Sequence, residues 1–362
     1  MREYVMMTPG PTQVVKSVRD AMAKPITSPI MDEDFFEFYK ETTQLFQKIM
    51  RTKNEVLILN GEGILGLEAT CASLTEENDR VLVISNGIFG EGFGDFVSLY
   101  GGEAVYYRGD FRTPIQVDEL GDFLEQDHSF KYATLVHCET PSGLVNPIHE
   151  ICPLLKEHGI LTVVDAVSSV GGIPIETDLW KIDILLGGSQ KCLSAPSGLS
   201  FLSISQEAKK IILGRQQAIR SFYCNLAVWD GWYEKKRFPY TQPVSDLYAL
   251  HEAARRLVND DTVWSRHAQL AKKVRAELIH MGFELYPLSG YSDTVTAVVV
   301  PEGMDERSFL RTLQEEHGVL ISGAFGPLAG KVIRIGHMGE NCHEEDINYT
   351  LESIRIVKKA NL

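Results

Sequence analysis

A lysine in a loop rich in glycine and proline is the residue of this sequence best placed for covalent chemistry. Lys191 lies in the segment GGSQKCLSAPSG, residues 187–198, directly after an apolar, strand-like run. In an open α/β sheet, ligands bind beyond the carboxyl ends of the strands. An amine at such a place becomes a nucleophile when burial lowers its pKa. A single loop lysine is nevertheless more often an ordinary surface residue, so the interpretation needs further residues.

An acidic residue ends another apolar run. Asp165 lies in LTVVDAV, residues 161–167. A carboxylate there could pair with a ring nitrogen and keep it protonated, which enzymes that use pyridoxal 5′-phosphate (PLP) as an electron sink require. A lone aspartate at a strand end would more often be a helix cap or a turn residue.

A glycine-rich turn follows the run VLIL. It has the sequence NGEGILGLE, residues 60–68, with glycines at positions 61, 63 and 66. Glycines between a strand and a helix leave backbone N–H groups exposed at the positive end of the helix, where they can hold a phosphate. The spacing matches neither a P-loop nor the full dinucleotide fingerprint, and a tight turn alone would also explain it.

Two further strand ends carry side chains that suit a planar cofactor. Phe89, in NGIFG after the run VLVIS, could stack on a ring, although it could equally be a loop-packing residue. Thr140, in HCETPSG, supplies a hydroxyl after the run ATLV. A lysine, an acid, an aromatic ring, a phosphate cradle and a hydroxyl thus follow strands of one predicted sheet. Together they predict a PLP site.

Apolar runs alternate with helix-compatible stretches over the first part of the chain. Continuous apolar strands separated by helices indicate a mainly parallel sheet that is covered on both faces. We therefore expect a large α/β domain over residues 12–259. The runs are VLIL (56–59), VLVIS (81–85), AVYY (104–107), ATLVHC (133–138), LTVVDAV (161–167), DILLGG (183–188) and LSFLSI (199–204).

The pattern changes after about residue 260, where a long amphipathic helix (264–281) precedes the strands TAVVV (296–300) and VIRIG (332–336). A closing helix follows, and Asn341 and Glu344 have the spacing of a capping box at its start. These features predict a smaller α+β domain over residues 260–362.

Composition and charge exclude several classes of partner. The net charge of −14 argues against nucleic acid or an anionic membrane, and no run approaches the ~20 apolar residues of a membrane span. The six cysteines are scattered without a CxxC pair, which favours free thiols in the cytoplasm. His337, Cys342, His343 and Glu345 fit no standard zinc spacing, so no metal is expected. A cytoplasmic protein that acts on small molecules is the prediction.

The combined motifs resemble the class V (fold type I) PLP-dependent aminotransferases, in the branch of the alanine–glyoxylate and serine–pyruvate enzymes. The resemblance runs through almost the whole chain, and the SQK block around Lys191 is quite specific to this branch. Related cysteine desulfurases place a histidine directly before the lysine, where this chain has Gln190. The matching segments are PGP (9–11), NGEGILGLEA, NGIFG, HCETPSG, VDAVSSVGG, GSQKCLSAPSG, RFPYTQP (237–243) and GKVIRIGHMG.

The resemblance implies a role for each matching residue. Lys191 would carry PLP as a Schiff base and later move the substrate proton, and Asp165 would pair with the ring nitrogen. Substrate would lie near Gly10, in an N-terminal arm (1–11), with its α-carboxylate on Arg334. A homodimer with a shared active site is also implied, with one residue supplied by the neighbouring subunit. The remaining cofactor contacts would be Val167 and Phe89 on the two ring faces, Thr140 near the ring hydroxyl, Glu62, Gly63, Ile64 and Gln190 at the phosphate, and Thr241 from that neighbour.

Two residues of the glycine-rich turn depart from the pattern of the family. Glu62 stands where relatives often have a serine that contacts the phosphate. Because a carboxylate is repelled by a dianion, we expect Glu62 to offer its backbone N–H and to turn its side chain away. Ile64 replaces a histidine of the animal alanine–glyoxylate enzymes, which makes this edge more apolar.

The implied reaction is ping-pong transamination through pyridoxamine phosphate. A small amino acid, alanine or serine, would donate its amino group to glyoxylate or pyruvate. A 2-aminoethylphosphonate–pyruvate or ureidoglycine–glyoxylate aminotransferase is an alternative with much the same motifs. A PLP-dependent lyase or desulfurase, and a non-catalytic binding protein of this fold, fit the sequence less well.

Overall fold

The computed structural model describes residues 4–361, and alternating strands and helices form its larger part. Its elements are β1 (Val5–Met6), α1 (Lys16–Met22), α2 (Glu33–Met50), β2 (Glu55–Asn60), α3 (Gly63–Leu74), β3 (Arg80–Ser85), α4 (Ile88–Leu99), β4 (Glu103–Arg108), α5 (Val117–Gln126), β5 (Tyr132–Val136), β6 (Cys138–Glu139), β7 (Leu144–Val145), α6 (Ile148–Glu157), β8 (Leu161–Asp165), β9 (Ile184–Gly188), β10 (Leu199–Ile204), α7 (Gln206–Leu213) and α8 (Val244–Val258). The elements that follow are α9 (Val263–His280), β11 (Val295–Val299), α10 (Glu306–His317), β12 (Val319–Leu320), β13 (Ser322–Gly323), β14 (Val332–Gly336) and α11 (Glu344–Asn361).

A seven-stranded sheet forms the centre of the larger part, with the order β2-β10-β9-β8-β5-β3-β4. The pairs β3–β4, β3–β5, β5–β8 and β8–β9 are parallel, and β10 runs antiparallel to both of its neighbours. Strands β5, β8, β9 and β10 are buried along their whole length. Side chains on both faces of such strands are therefore mostly apolar, which explains the continuous apolar runs. The predicted mainly parallel α/β fold is confirmed.

The parallel pairing brings the predicted site residues to one edge of the sheet. In the register of β5 and β8, Val136 is opposite Asp165, and in that of β8 and β9, Asp165 is opposite Leu186. The loops after β5, β8 and β9 therefore leave the sheet side by side. Thr140, Asp165 and Lys191 lie at or beyond these strand ends because of this topology.

The C-terminal part has an antiparallel sheet of its own, in the order β11-β14-β13. Residues of α9, α10 and α11, such as Val274, Phe309 and Leu351, pack with Ile333 of β14 in a separate apolar core. The proposed boundary at residues 259–260 falls in the short link between α8 and α9. No helix within residues 4–361 is long and apolar enough to cross a membrane.

The N-terminal arm connects the C-terminal part to the lysine loop. Residues 1–3 of the predicted arm lie outside the described residues. Strand β1 pairs in parallel with β12, and the backbone N–H of Thr12 donates to the carbonyl oxygen of Gln190 at 3.0 Å. The arm therefore lies directly against the loop that carries Lys191.

The predicted capping box at the last helix is wrong. Helix α11 begins at Glu344, whereas Asn341 lies in a preceding 3₁₀ turn and is fully buried. The side-chain oxygen of Asn341 accepts from the backbone N–H of Gln13 at 2.9 Å, and its amide donates to the carbonyl of Thr8 at 3.3 Å. Asn341 therefore fixes the N-terminal arm, because buried backbone groups of the arm need partners.

Candidate active site

The side chain of Lys191 is enclosed by the N-terminal arm. Its Nζ donates to the carbonyl oxygen of Pro9 at 2.5 Å. Gly10 has a φ of +90°, and a Cβ built on it would lie 2.5 Å from Cδ of Lys191. Both the backbone conformation and the close contact require glycine at this position. Gly10 therefore lies at the predicted site, against the aliphatic stem of Lys191.

Burial lowers the pKa of Lys191, and the positive charge of Arg334 lowers it further. Asp165 and Cys192 oppose this shift. A lysine that loses its proton more readily is a better nucleophile and proton acceptor near neutral pH. The environment of Lys191 thus suits the role that the sequence predicts.

Asp165 is the last residue of β8 and is almost fully buried. Its Oδ1 accepts from the backbone N–H of Val167 at 2.8 Å, which fixes the orientation of the carboxyl group. Burial raises the pKa of Asp165 to about 6, partly offset by the Val167 N–H and by Lys191. A buried carboxylate of this kind gains strongly from a cationic partner, such as a protonated ring nitrogen.

Most of the predicted cofactor residues line one cavity of about 160 Å³. Gly63 allows a close approach here, since a Cβ on it would lie 2.9 Å from Cγ2 of Val167. Leu67, Cys138 and Ser168 were not predicted from the sequence, yet they also line the cavity. The predicted residues are Glu62, Gly63, Ile64, Phe89, Asp165, Val167, Gln190 and Lys191.

The expected orientation of Glu62 is wrong. Its carboxylate turns towards the glycine-rich turn, where Oε1 accepts from the backbone N–H of Ile64 at 3.2 Å. Oε2 accepts from Nε2 of Gln190 at 3.1 Å. The physical reason is that Glu62 is the N-cap residue of α3, and an anionic acceptor is stabilised at a positive helix end. Two predicted phosphate donors therefore already bind a carboxylate of the chain itself.

Arg334 lies on β14, beside the cavity rather than in its wall. Its Nε and Nη2 donate to the carbonyl oxygen of Gly323 at 2.9 and 2.7 Å. The guanidinium lies over the ring of Phe325 at 5.3 Å, and Phe325 meets Phe89 edge to face at 5.8 Å. Burial lowers the pKa of Arg334 to about 10, against the opposing charge of Glu306, so the group stays cationic at neutral pH.

Thr140 and Thr241 are not brought to the cavity wall. Thr140 is buried directly after β6. Thr241 is exposed, and its carbonyl oxygen accepts from Nδ2 of Asn60 at 2.8 Å. The segment that carries Thr241 is therefore held at the end of β2, close to the start of the glycine-rich turn.

A buried glutamate, which sequence reasoning missed, positions Phe89. The carboxylate of Glu139 accepts from the backbone N–H of Gly90 at 2.7 Å and from that of Phe89 at 3.2 Å. Burial raises the pKa of Glu139 to about 7, against these two hydrogen bonds. The sequence does contain a sign of this role. Like Asp165, Glu139 is an acidic residue near the end of an apolar run.

Comparisons with known proteins show which family this chain resembles over nearly its whole length. The family model described as aminotransferase class-V matches residues 8–348. A pyridoxamine–pyruvate transaminase from Mesorhizobium japonicum is 34% identical over 92% of this chain and 86% of its own. An alanine–glyoxylate aminotransferase from Callithrix jacchus is 32% identical over 90% of this chain and 80% of its own. The crystal structure of a ureidoglycine–glyoxylate aminotransferase from Bacillus subtilis has a TM-score of 0.96 and 30% identity over 100% and 94% of the two chains.

Proposed function

Because this chain belongs to the class V aminotransferase family, we propose that it transfers the amino group of alanine or serine to glyoxylate or pyruvate. The names of similar proteins include both acceptors. The observation that carries the proposal is the placement of Lys191 and Asp165 in the wall of one cavity, with the cation of Arg334 beside it.

PLP is the cofactor of this family, and most of the site fits it. Lys191 would hold its aldehyde carbon, Asp165 its ring nitrogen, and Phe89 and Val167 its ring faces. Gln190 Oε1 is buried and has no hydrogen-bond partner within residues 4–361. The cavity wall can therefore still accept a hydrogen bond from a bound molecule. When bound, the cofactor supplies the electron sink that stabilises negative charge at the substrate Cα.

The chain's own residues perform the remaining steps. Lys191 would accept the proton from the substrate Cα, which its lowered pKa favours. Asp165 would pair with the ring nitrogen and stabilise positive charge there. The arm residues Pro9 and Gly10 cover the lysine and exclude water from it.

The choice of amino donor requires a direct experiment. The purified holoenzyme is mixed with each candidate donor, without acceptor, and loss of cofactor absorbance is followed. We expect alanine or serine to react fastest. Reaction only with 2-aminoethylphosphonate or ureidoglycine would contradict this donor and support one of the alternative aminotransferases.

The cysteines argue against a desulfurase. All six are unpaired and buried. Cys138 is the cysteine in the cavity wall, and burial raises its pKa to about 11, which disfavours the nucleophilic thiolate. Buried, unpaired thiols also support the proposal of a cytoplasmic protein.

Arg334 is proposed to bind the α-carboxylate of both substrates. A planar guanidinium can hold a carboxylate with two parallel hydrogen bonds, which lysine cannot reproduce. Arg334→Lys should therefore raise KM for donor and acceptor roughly tenfold or more while the cofactor stays bound. Steady-state kinetics and cofactor absorbance measure the two effects separately. Loss of the cofactor with an unchanged KM would contradict the assignment.

We propose that two copies form a homodimer and share their active sites. The hydrogen bond from Asn60 holds the segment of Thr241 beside the glycine-rich turn, with Thr241 itself exposed. Large apolar side chains are also exposed, among them Met31 at 82% and Phe222 at 60%. Contact between two subunits would bury side chains of this kind.

A complementation experiment tests the shared site. Lys191→Ala and Thr241→Arg should each be inactive or nearly so. If Thr241 acts in the partner's site, a hybrid dimer has one site with both lesions and one intact site. Mixing equal amounts after dissociation should then restore roughly a quarter of wild-type activity, for random pairing. Verified hybrids without activity would place Thr241 in the site of its own subunit.

A further inference from the structure

The carboxylate of Glu62 makes the contacts that the phosphate of the cofactor would need. We propose that Glu62 acts as a built-in substitute for this phosphate, so that the site also binds the unphosphorylated ring forms, pyridoxal and pyridoxamine. The inference uses the pocket of the proposed function and adds a second class of ligand to it.

The hydrogen bonds of Glu62 come from both sides of the cradle. One donor is the backbone N–H of Ile64 in the first turn of α3, a helix of 12 residues. The other is the side-chain amide of Gln190, which is 8% exposed and lies directly before Lys191. A carboxylate held by a helix end and a buried amide is well fixed, so moving it costs both hydrogen bonds.

Apart from Lys191, no basic side chain of the described residues lines the cavity wall to offset a second anion. Among the residues that line the cavity, all within the described part of the chain, Lys191 is the only basic one. Lys191 is needed at the aldehyde and already interacts with Asp165. A phosphate beside Glu62 would therefore be repelled by this carboxylate. Glu62 is exposed, so water screens part of the repulsion, and the binding of a phosphate dianion would weaken by a factor on the order of ten or more.

The unphosphorylated ring avoids this repulsion. Its neutral hydroxymethyl group can donate its O–H to the carboxylate of Glu62, an arrangement that a phosphate dianion cannot adopt. Asp165, Phe89 and Lys191 contact other parts of the ring and do not require the phosphate. The amine of Lys191 can condense with the aldehyde of pyridoxal, forming a C=N bond and releasing one water molecule.

Equilibrium binding to the apoprotein tests the proposal. Calorimetric titrations with pyridoxal and with PLP give the ratio of the two dissociation constants. Glu62→Gln removes the charge and keeps an acceptor for the N–H of Ile64, and Glu62→Ser also removes the volume. Glu68→Gln is the matched control, since it removes the same charge further along α3. Melting temperatures show that each variant is folded.

We expect wild type to bind pyridoxal at least as tightly as PLP. Both Glu62 variants should shift the ratio towards PLP on the order of tenfold or more, whereas Glu68→Gln should not. An unchanged ratio in both Glu62 variants, or wild type that binds PLP far more tightly than pyridoxal, would overturn the proposal.

Repeating the titrations in Lys191→Ala separates this proposal from the proposed function. The effect of Glu62 on the ratio should persist without Lys191, because repulsion of the phosphate does not depend on a covalent link. If the ratio shifts but Lys191 proves unnecessary for transamination, the proposed function fails while the role of Glu62 stands. If Lys191 is essential and the ratio does not shift, only the role of Glu62 fails.

Discussion

Lys191→Ala should abolish transamination and remove the yellow colour of the purified protein. Alanine lacks the amine that would link the cofactor and accept the proton from the substrate Cα, and no other lysine lines the cavity within residues 4–361. Turnover should fall by ~10⁴-fold or more, the upper range for loss of a general base. Absorbance spectra and kcat for the amino donor measure both effects.

Lys210→Ala provides the control for this substitution. Lys210 is exposed on α7, so its loss removes the same functional group without touching the site. Colour and turnover should stay at the wild-type level. A fully active Lys191→Ala enzyme would show that the amine of Lys191 has no part in the chemistry.

Asp165→Asn should reduce turnover by two or more orders of magnitude. Asparagine retains an oxygen for the N–H of Val167 but loses the negative charge that stabilises a protonated ring nitrogen. Loss of such preorganised electrostatic stabilisation costs about 3 kcal/mol in the transition state. Rates of the half-reaction with a fixed donor measure the effect, with cofactor content determined for each preparation.

A near-normal rate for Asp165→Asn would mean that another residue faces the ring nitrogen. The double variant Asp165→Asn with Lys191→Ala gives a further check. Asp165 is proposed to act only on a reaction that Lys191 makes possible. The double variant should therefore turn over no more slowly than Lys191→Ala alone.

The fold was largely predictable because strands buried on both faces leave a continuous apolar signature. The runs LTVVDAV (161–167) and DILLGG (183–188) contain β8 and β9. Parallel pairing then placed Asp165 and Lys191 at one sheet edge without any knowledge of side-chain contacts. The antiparallel direction of β10 carries no such signature, since its residues are as apolar as those of its neighbours.

The errors concern polar side chains whose partners are distant in sequence. Glu62 was expected to turn away from the cradle, but its second hydrogen bond comes from Gln190. Asn341 has the local spacing of a helix cap, yet it contacts Thr8 of the N-terminal arm and Gln13, which follows the arm. Local sequence rules describe the nearest turn only, whereas a buried polar group binds whichever partner the tertiary fold supplies.

Chemical trapping of the cofactor tests the central claim most directly. The wild-type holoenzyme is reduced with borohydride, digested, and its peptides are identified by mass spectrometry. A cofactor adduct on Lys191, absent from the Lys191→Ala protein and from samples first treated with an amino donor, is the predicted result. An adduct on another lysine, or none on a yellow and active enzyme, would contradict the assignment of Lys191 as the residue that carries the cofactor.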